Sequence, residues 1–244
     1  MVIQVDHLTA TYDDRIVLDN LSMNVKENEI LVVLGRSGCG KSTFLKHLIK
    51  LLIPIQGRIE ILDQEITQLS EEAYRGILRR IGVMFQNGAL LNSLTVLENV
   101  TLPLEMHTDL PQRMIEDIAR LKLHQVGLSH AAARYPKELS GGMVKRAAIA
   151  RAIVLDPKIL FCDEPSAGLD PVTALHLDEL LLNLRNNLSM TLVIVTHELK
   201  SIERIADRIL MLDEGKVLFQ GSMKEALKLN HPKINEFFLV NERT

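Results

Sequence analysis

The chain reads as an α/β protein: a mostly parallel sheet with antiparallel strands at its N-terminus, interrupted by an all-helical insert. Three observations predict this class. Ile30-Leu31-Val32-Val33-Leu34 is continuously apolar, as a strand buried on both faces should be, and it runs straight into a Gly-rich loop. From Ile159 to Phe219, strand patterns alternate with helical ones, the rhythm of parallel β-α units. Between these regions, from about Gln86 to Asp156, no segment reads as a strand.

Each element follows from its residues. Ile3, Val5 and Leu8 mark a first strand, Ile16-Val17-Leu18 a second apolar stretch, and the region around Met23 and Val25 a third. Lys41 to about Leu52 reads as a helix ended by Pro54 and Gly57, after which Arg58-Ile59-Glu60-Ile61-Leu62 alternates as a strand. Ile81-Gly82-Val83-Met84-Phe85 is another strand. Val96–Met106, Pro111–Val126 and Gly141–Leu155 read as helices, with breaks at Pro103, Gly127 and Pro136. Ile159–Asp163, Thr191–Val195, Arg208–Leu212 and Lys216–Phe219 resume the strand pattern, with helices between. Residues 1–222 are expected to form one domain with a helical subdomain inserted at about 87–156, and 223–244 a short helical tail. Ile234, Phe237, Phe238 and Leu239 of that tail are expected to dock on the core, with a partner surface as the alternative.

Composition narrows the function classes. At 47% hydrophobic, 244 residues can build a substantial core. Trp is absent and aromatics are 4%, which disfavours base-stacking surfaces, and a formal charge of −3 argues against general nucleic-acid affinity. Cys39 and Cys162 stand far apart and match no metal spacing, so they read as buried, reduced thiols of a cytosolic protein. No apolar run approaches the ~18 residues of a membrane span. The start, Met1-Val2-Ile3-Gln4-Val5-Asp6, lacks the regions of a signal peptide. A soluble chain is expected, serving any membrane process through a partner.

Two segments can cradle phosphate. Gly35-Arg36-Ser37-Gly38-Cys39-Gly40-Lys41-Ser42 fits G-x-x-x-x-G-K-[ST], the Walker A pattern. Its glycines let backbone N–H groups turn inward, and it opens a helix whose N-terminus favours anions. Lys41 should reach the β- and γ-phosphates and the Ser42 hydroxyl a Mg²⁺ ion, with Thr43 counted among the nucleotide-binding residues. The second segment, Leu139-Ser140-Gly141-Gly142-Met143, places a hydroxyl and two Gly N–H groups at a helix start, and Ser140 also reads as an ordinary N-cap. Between them in function, Ile159-Leu160-Phe161-Cys162-Asp163-Glu164 is a buried strand ending in two carboxylates, a Walker B pattern. Asp163 would hold Mg²⁺ and Glu164 would act as general base or position the attacking water.

Together these segments resemble the ATP-binding cassette (ABC) family of ATPases, over about residues 1–222. The resemblance implies a P-loop NTPase core, ATP and Mg²⁺ as cofactors, and two copies packed head to tail. The Gly35–Ser42 loop of one copy and Ser140, Gly141 and Gly142 of the other would sandwich ATP. It further implies that Gln86, after the Ile81–Phe85 strand, contacts Mg²⁺ and water, and that His197 contacts the γ-phosphate. Ser166-Ala167-Gly168-Leu169-Asp170 resembles the D-loop, with Asp170 near the dimer seam, and Tyr12 lies where the family stacks an aromatic on adenine. Met143 departs from the Gln usual at its position, which removes any hydrogen bond that Gln would make. Each smaller motif has a plain alternative: His197 as a helix cap, Gln86 as a surface turn, Tyr12 as core. Arg79-Arg80 and Lys145-Arg146 with Arg151 read as solvated helix faces, or as contacts to nucleotide or a neighbouring subunit.

Within the family, Phe85-Gln86-Asn87-Gly88-Ala89-Leu90, Asn99-Val100 with Pro103-Leu104, His107-Thr108 with Leu110-Pro111, and the Met143 variant resemble the MlaF-type ATPases of bacterial MCE transporters. That resemblance implies phospholipid transport between inner and outer membranes, and a peripheral location on the cytoplasmic face of the inner membrane. The implied partners are an MlaE-like permease, a periplasmic MCE protein and a STAS-domain subunit. The alternatives are an ATPase for amino-acid, metal or lipoprotein transport, a soluble ABC ATPase acting on nucleic acid or ribosomes, and a non-catalytic nucleotide-gated subunit. Intact Lys41, Asp163, Glu164 and His197 argue against the last.

Overall fold

The computed structural model describes residues 1–12 and 15–241, with only the backbone described for 239–241, so the side chain of Leu239 lies outside the described residues. The chain divides into two compact units, Met1–Ile77 with Thr191–Thr244, and Leu78–Met190.

In the first unit β1 (Ile3–Tyr12) pairs antiparallel with β2 (Arg15–Val25) on one side and with β4 (Gln56–Ile61) on the other. A two-residue strand, β5 (Gln64–Glu65), extends β4. The second and third apolar stretches of the sequence belong to the single strand β2. They read as two because Asn20 takes a left-handed φ of 53° and the register with β1 shifts there, so the period-2 pattern is reset mid-strand. A second set of strands carries the core. β3 (Ile30–Gly35) lies parallel to β8 (Thr191–Val195) and to β9 (Arg208–Asp213), and β10 (Lys216–Gly221) turns back antiparallel on β9. Every residue of β3 is buried, which is why its sequence is an unbroken apolar run.

Helix α1 (Lys41–Leu48) buries Phe44, Leu45 and Leu48. It stops before Leu52 because Lys50 adopts φ 52° and the amides of Lys50 and Leu51 fold back to the carbonyls of His47 and Lys46, a Schellman closure. A helix that the sequence reading did not propose, α2 (Glu71–Leu78), starts where the Ser70 hydroxyl accepts from the Ala73 amide at 3.3 Å. Helix α7 (Leu199–Ile205) follows β8, and the tail forms α8 (Met223–Lys228) and α9 (Pro232–Asn241). Ile234, Phe237 and Phe238 are buried, so the tail docks through them, as expected. Glu236 pairs with Arg36 at 2.5 Å and Lys233 pairs with Asp213.

Glu29, just before β3, is 8% exposed at its side chain and receives Arg208 Nη1 on both oxygens, at 2.9 and 3.3 Å. Its Oε1 also accepts the Lys26 amide at 2.6 Å. Arg208→Ala is therefore expected to destabilise the fold by about 2 kcal/mol, because it leaves a buried carboxylate without its cation; this is below the ~3–5 kcal/mol of a fully buried pair because Arg208 is 20% exposed. That is a fall in Tm of roughly 4–8 °C, read by thermal denaturation; an unchanged Tm would refute the pair's contribution.

In the second unit β6 (Ile81–Met84) and β7 (Ile159–Asp163) pair in parallel, and no strand lies between Met84 and Ile159. That interval holds α3 (Val96–His107), α4 (Gln112–Gln125) and α5 (Gly141–Ala152), and α6 (Pro171–Leu188) follows β7. Thr95 and Glu98 form a reciprocal capping box at the start of α3. Pro103 does not break α3, contrary to the sequence reading. It forfeits one backbone bond, and the helix is carried past it by the buried Val100 and Leu104 and by the Thr108 amide donating to the Leu104 carbonyl at 2.9 Å. Helix α4 ends at Gly127, whose φ of 71° suits its C′ position. Among the described residues no helix is long and apolar enough to cross a membrane.

Candidate nucleotide-binding site

The Gly35–Ser42 loop joins β3 to α1. Gly35 has φ 149°, and a Cβ there would stand 2.3 Å from the Leu212 carbonyl oxygen, so only glycine lets β3 turn so close to β9. Gly40, at φ 104°, is the N-cap of α1, and a Cβ there would meet Leu18 at 2.8 Å. The loop closes with the Cys39 amide donating to the Arg36 carbonyl at 3.2 Å. Lys41 Nζ folds back over it, donating to the carbonyls of Gly35 at 2.8 Å and Arg36 at 3.0 Å. Arg36, Ser37, Gly38 and Ser42 are exposed and Thr43 is half-buried. Cys39 is buried, and that burial pushes its thiol pKa up. In the same unit Tyr12 ends β1 at 66% exposure, which removes its reading as a core residue. His197 lies two residues beyond β8, exposed, with Nε2 3.9 Å from Glu198 Oε1; the N-cap of α7 is Glu198, not His197.

The second unit carries the remaining motif residues. Asp163 is the last residue of β7, and Glu164 follows it buried, in a left-handed conformation at φ 47°. Cys162, wholly enclosed beside them, has its thiol pushed up to about 12 by burial first and by the Asp163 charge second. Gln86 lies two residues beyond β6 with an exposed side chain. Ser140 is the N-cap of α5, its Oγ accepting the Met143 amide at 3.4 Å, and Ser140 and Gly141 are exposed. Asp170 caps α6: Oδ1 accepts the amides of Val172 and Thr173 at 3.1 and 3.0 Å, and the bond from the Thr173 hydroxyl first, then these amide bonds, hold its pKa below the usual carboxylate value. Gln86, Gly141, Lys145 and Gly168 line one open cavity of about 380 Å³, which brings the turn after β6, the start of α5 and the turn before α6 together.

Gly142 is buried where α5 passes α6, and a Cβ there would come 2.4 Å from Thr173 Cγ2. Gly142→Ala is expected to cost about 1–3 kcal/mol through overpacking. Adding Thr173→Ser removes that methyl while keeping the hydroxyl bonded to Asp170. The double variant should recover most of the Tm; failure to recover would refute the steric account.

The reading of Lys145 and Arg151 as solvated is overturned. Lys145 is 7% exposed, and its Nζ donates to the main-chain carbonyls of Gln86 and, at 3.0 Å, of Glu164. Burial lowers its pKa, and the charges of Glu164 and Asp163 act against that. Arg151 donates to the carbonyls of Ala89 and Gly88 at 2.8 Å each. The helical period held the signal: Lys145 shares a stripe with Gly142, Ala148 and Ile149, all buried.

Residues 18–167 match the family model described as ABC transporter. MlaF of Haemophilus influenzae, an intermembrane phospholipid transport ATP-binding protein, is 38% identical over 236 residues, covering 97% of this chain and 89% of that protein. The methionine import protein MetN 2 of Rhodopseudomonas palustris is 39% identical over 240 residues, 98% of this chain and 63% of that protein. Among solved structures, the dimeric post-hydrolysis ATP-binding cassette MJ0796 bound to ADP and Pi superposes with a TM-score of 0.84 at 32% identity, covering 91% of this chain and 98% of that one. The chain belongs to the ABC transporter family, as an ATP-binding, ATP-hydrolysing subunit.

ATP and Mg²⁺ are its cofactors, and the residues fit them. The loop offers backbone N–H groups at a helix N-terminus and the Lys41 ammonium for phosphate, and the exposed Ser42 hydroxyl is a hard oxygen donor. Among the described residues no group of three or more His, Cys, Asp or Glu could hold a metal.

Proposed function

We propose that two copies of this chain pack head to tail around ATP and drive a membrane permease that moves phospholipid between the inner and outer membranes. The observation that carries the dimer is the exposed start of α5, where Ser140 and Gly141 present a capped helix N-terminus free to meet an anion from a second molecule. The dimeric state of the related MJ0796 cassette supports it.

In this reading Lys41 and the loop residues Arg36, Ser37, Gly38, Cys39 and Gly40 surround the phosphates of ATP, Ser42 and Thr43 lie beside them, and Tyr12 stacks on adenine. Ser42, Asp163 and Gln86 are the Mg²⁺ residues; the ion, when bound, neutralises charge on the β- and γ-phosphates. Glu164 orients the attacking water and accepts its proton, and His197 steadies the γ-phosphate. Ser140, Gly141 and Gly142 of the second copy grip the same phosphate, and Asp170 lies by the seam. Triphosphate thus stabilises the closed pair, and its hydrolysis releases it, which is differential affinity acting on a two-state element.

The phospholipid cargo rests on the Phe85–Leu90 and Asn99–Leu104 stretches, the Met143 variant and the likeness to MlaF. The partners follow: an MlaE-like permease at the cytoplasmic face of the inner membrane, a periplasmic MCE protein and a STAS-domain subunit. The equal likeness to MetN 2 favours a second reading, amino-acid import. Affinity purification from detergent-solubilised membranes separates them. An MCE protein in the complex supports lipid transport, and a substrate-binding protein for an amino acid refutes it.

A further inference from the structure

We propose that Lys145 is a positioning residue for hydrolysis: its buried ammonium, on the helix that begins at Ser140, ties the main chain of Gln86 to that of Glu164. The proposal rests on the assignment of Gln86 and Glu164 to the chemical step. Nζ reaches the Gln86 carbonyl, 59 positions away in sequence, and the Glu164 carbonyl at 3.0 Å. Both carbonyls belong to residues just past the ends of parallel strands, β6 and β7, where no sheet partner can fix them.

The two anchored segments are ones that need holding. Glu164 sits at φ 47°, a conformation an L-residue with a long side chain adopts only when its surroundings impose it. Gln86 opens a turn in which Gly88 and Ala89 have φ of 73° and 50°. Arg151, on the same helix, holds the carbonyls of those two residues. One rigid helix therefore carries the Gln86–Ala89 turn and the Glu164 main chain together, and a displacement of α5 moves both. An anion drawn to Ser140 and Gly141 acts on the end of that same helix.

Lys145→Met removes a costly buried charge, but it also takes a donor from the Gln86 and Glu164 carbonyls and a cation from beside Glu164 and Asp163, so a loss of Tm alone does not test the proposal. Lys145→Met should lower the Tm by several degrees without preventing folding, and keep ATP affinity and KM within about twofold, while kcat falls about tenfold or more, because misplacement of reacting groups by a fraction of an ångström is that costly. Lys145→Arg, which restores donors and charge, should regain much of kcat. The assay is Mg-ATP hydrolysis by this 244-residue chain, with nucleotide affinity measured by calorimetry. Glu164→Gln is run beside it: if that variant still turns over, the assignment of Glu164 has failed. If Glu164→Gln is dead and Lys145→Met retains kcat within twofold, the positioning role is refuted. It is refuted equally if Lys145→Met loses kcat and KM alike, or if Lys145→Arg is no better than Lys145→Met. Should the Met variant not fold, Lys145→Gln decides by the same split between kcat and KM.

Discussion

Replacing Glu164 by Gln is expected to reduce ATP turnover at least about 100-fold while leaving ATP binding intact, so that Mg-ATP converts the chain into a stable dimer. The magnitude follows from removing a base that accepts a proton in the transition state, a contribution of typically 10²–10⁴-fold. Amide and carboxylate have nearly the same shape, so the buried pocket around Glu164 and the Lys145 bond to its carbonyl are preserved. What changes is basicity alone. With the chemical step blocked, the triphosphate that bridges two copies is not consumed, and the closed state accumulates. Gel filtration with light scattering, with and without Mg-ATP, reads the result. A variant that remains monomeric and hydrolyses ATP at the parent rate would remove Glu164 from the chemistry. Weak dimerisation of the isolated chain would call for the same measurement in the complex with the permease.

The second large effect is on binding. Lys41→Ala is expected to weaken ATP affinity by about 3 kcal/mol, on the order of a hundredfold in Kd, because charge-assisted hydrogen bonds to phosphate are lost. In the structure the Lys41 ammonium lies over its own loop on the carbonyls of Gly35 and Arg36, so its charge already stands at the cradle that the loop amides form. Titration calorimetry with Mg-ATP measures the change. Unchanged affinity would mean the loop does not hold the triphosphate. The Tm without nucleotide should fall only modestly, since Lys41 is half-buried and, of the two carbonyls it bonds, that of exposed Arg36 is open to water while only that of Gly35, at the end of β3, loses a buried donor.

The fold was legible wherever one residue's local chemistry decides the backbone. Gly127 announces the end of α4, because glycine at a left-handed C′ position is a common stop. Lys50 ends α1 with the same hydrogen-bond closure and announces nothing, since lysine carries no such preference. Pro103 shows the reverse case: a residue with a strong local veto, overridden by the buried face of α3. Helix α2 was overlooked although Ser70 followed by Glu71 and Glu72 is a helix-start pattern. In the site, the strand ends that carry Asp163 and Glu164 and the loop before Lys41 could be read directly, because a buried apolar strand and a Gly-rich turn are both short-range signals.

What the sequence determined by itself is the local geometry of the candidate phosphate site: glycines at Gly35 and Gly40, an ammonium at Lys41, a hydroxyl cap at Ser140, and carboxylates after a buried strand. These are properties of adjacent residues, and neighbouring backbone geometry follows from them without reference to the rest of the chain. Only the tertiary structure decided that Lys145 and Arg151 are held by main-chain carbonyls and not by water, that Ile234, Phe237 and Phe238 are buried, and that Gly142 faces Thr173. The reason is that desolvation and steric contact depend on segments tens of residues away, and a cation written in a sequence looks the same whether water or a carbonyl meets it.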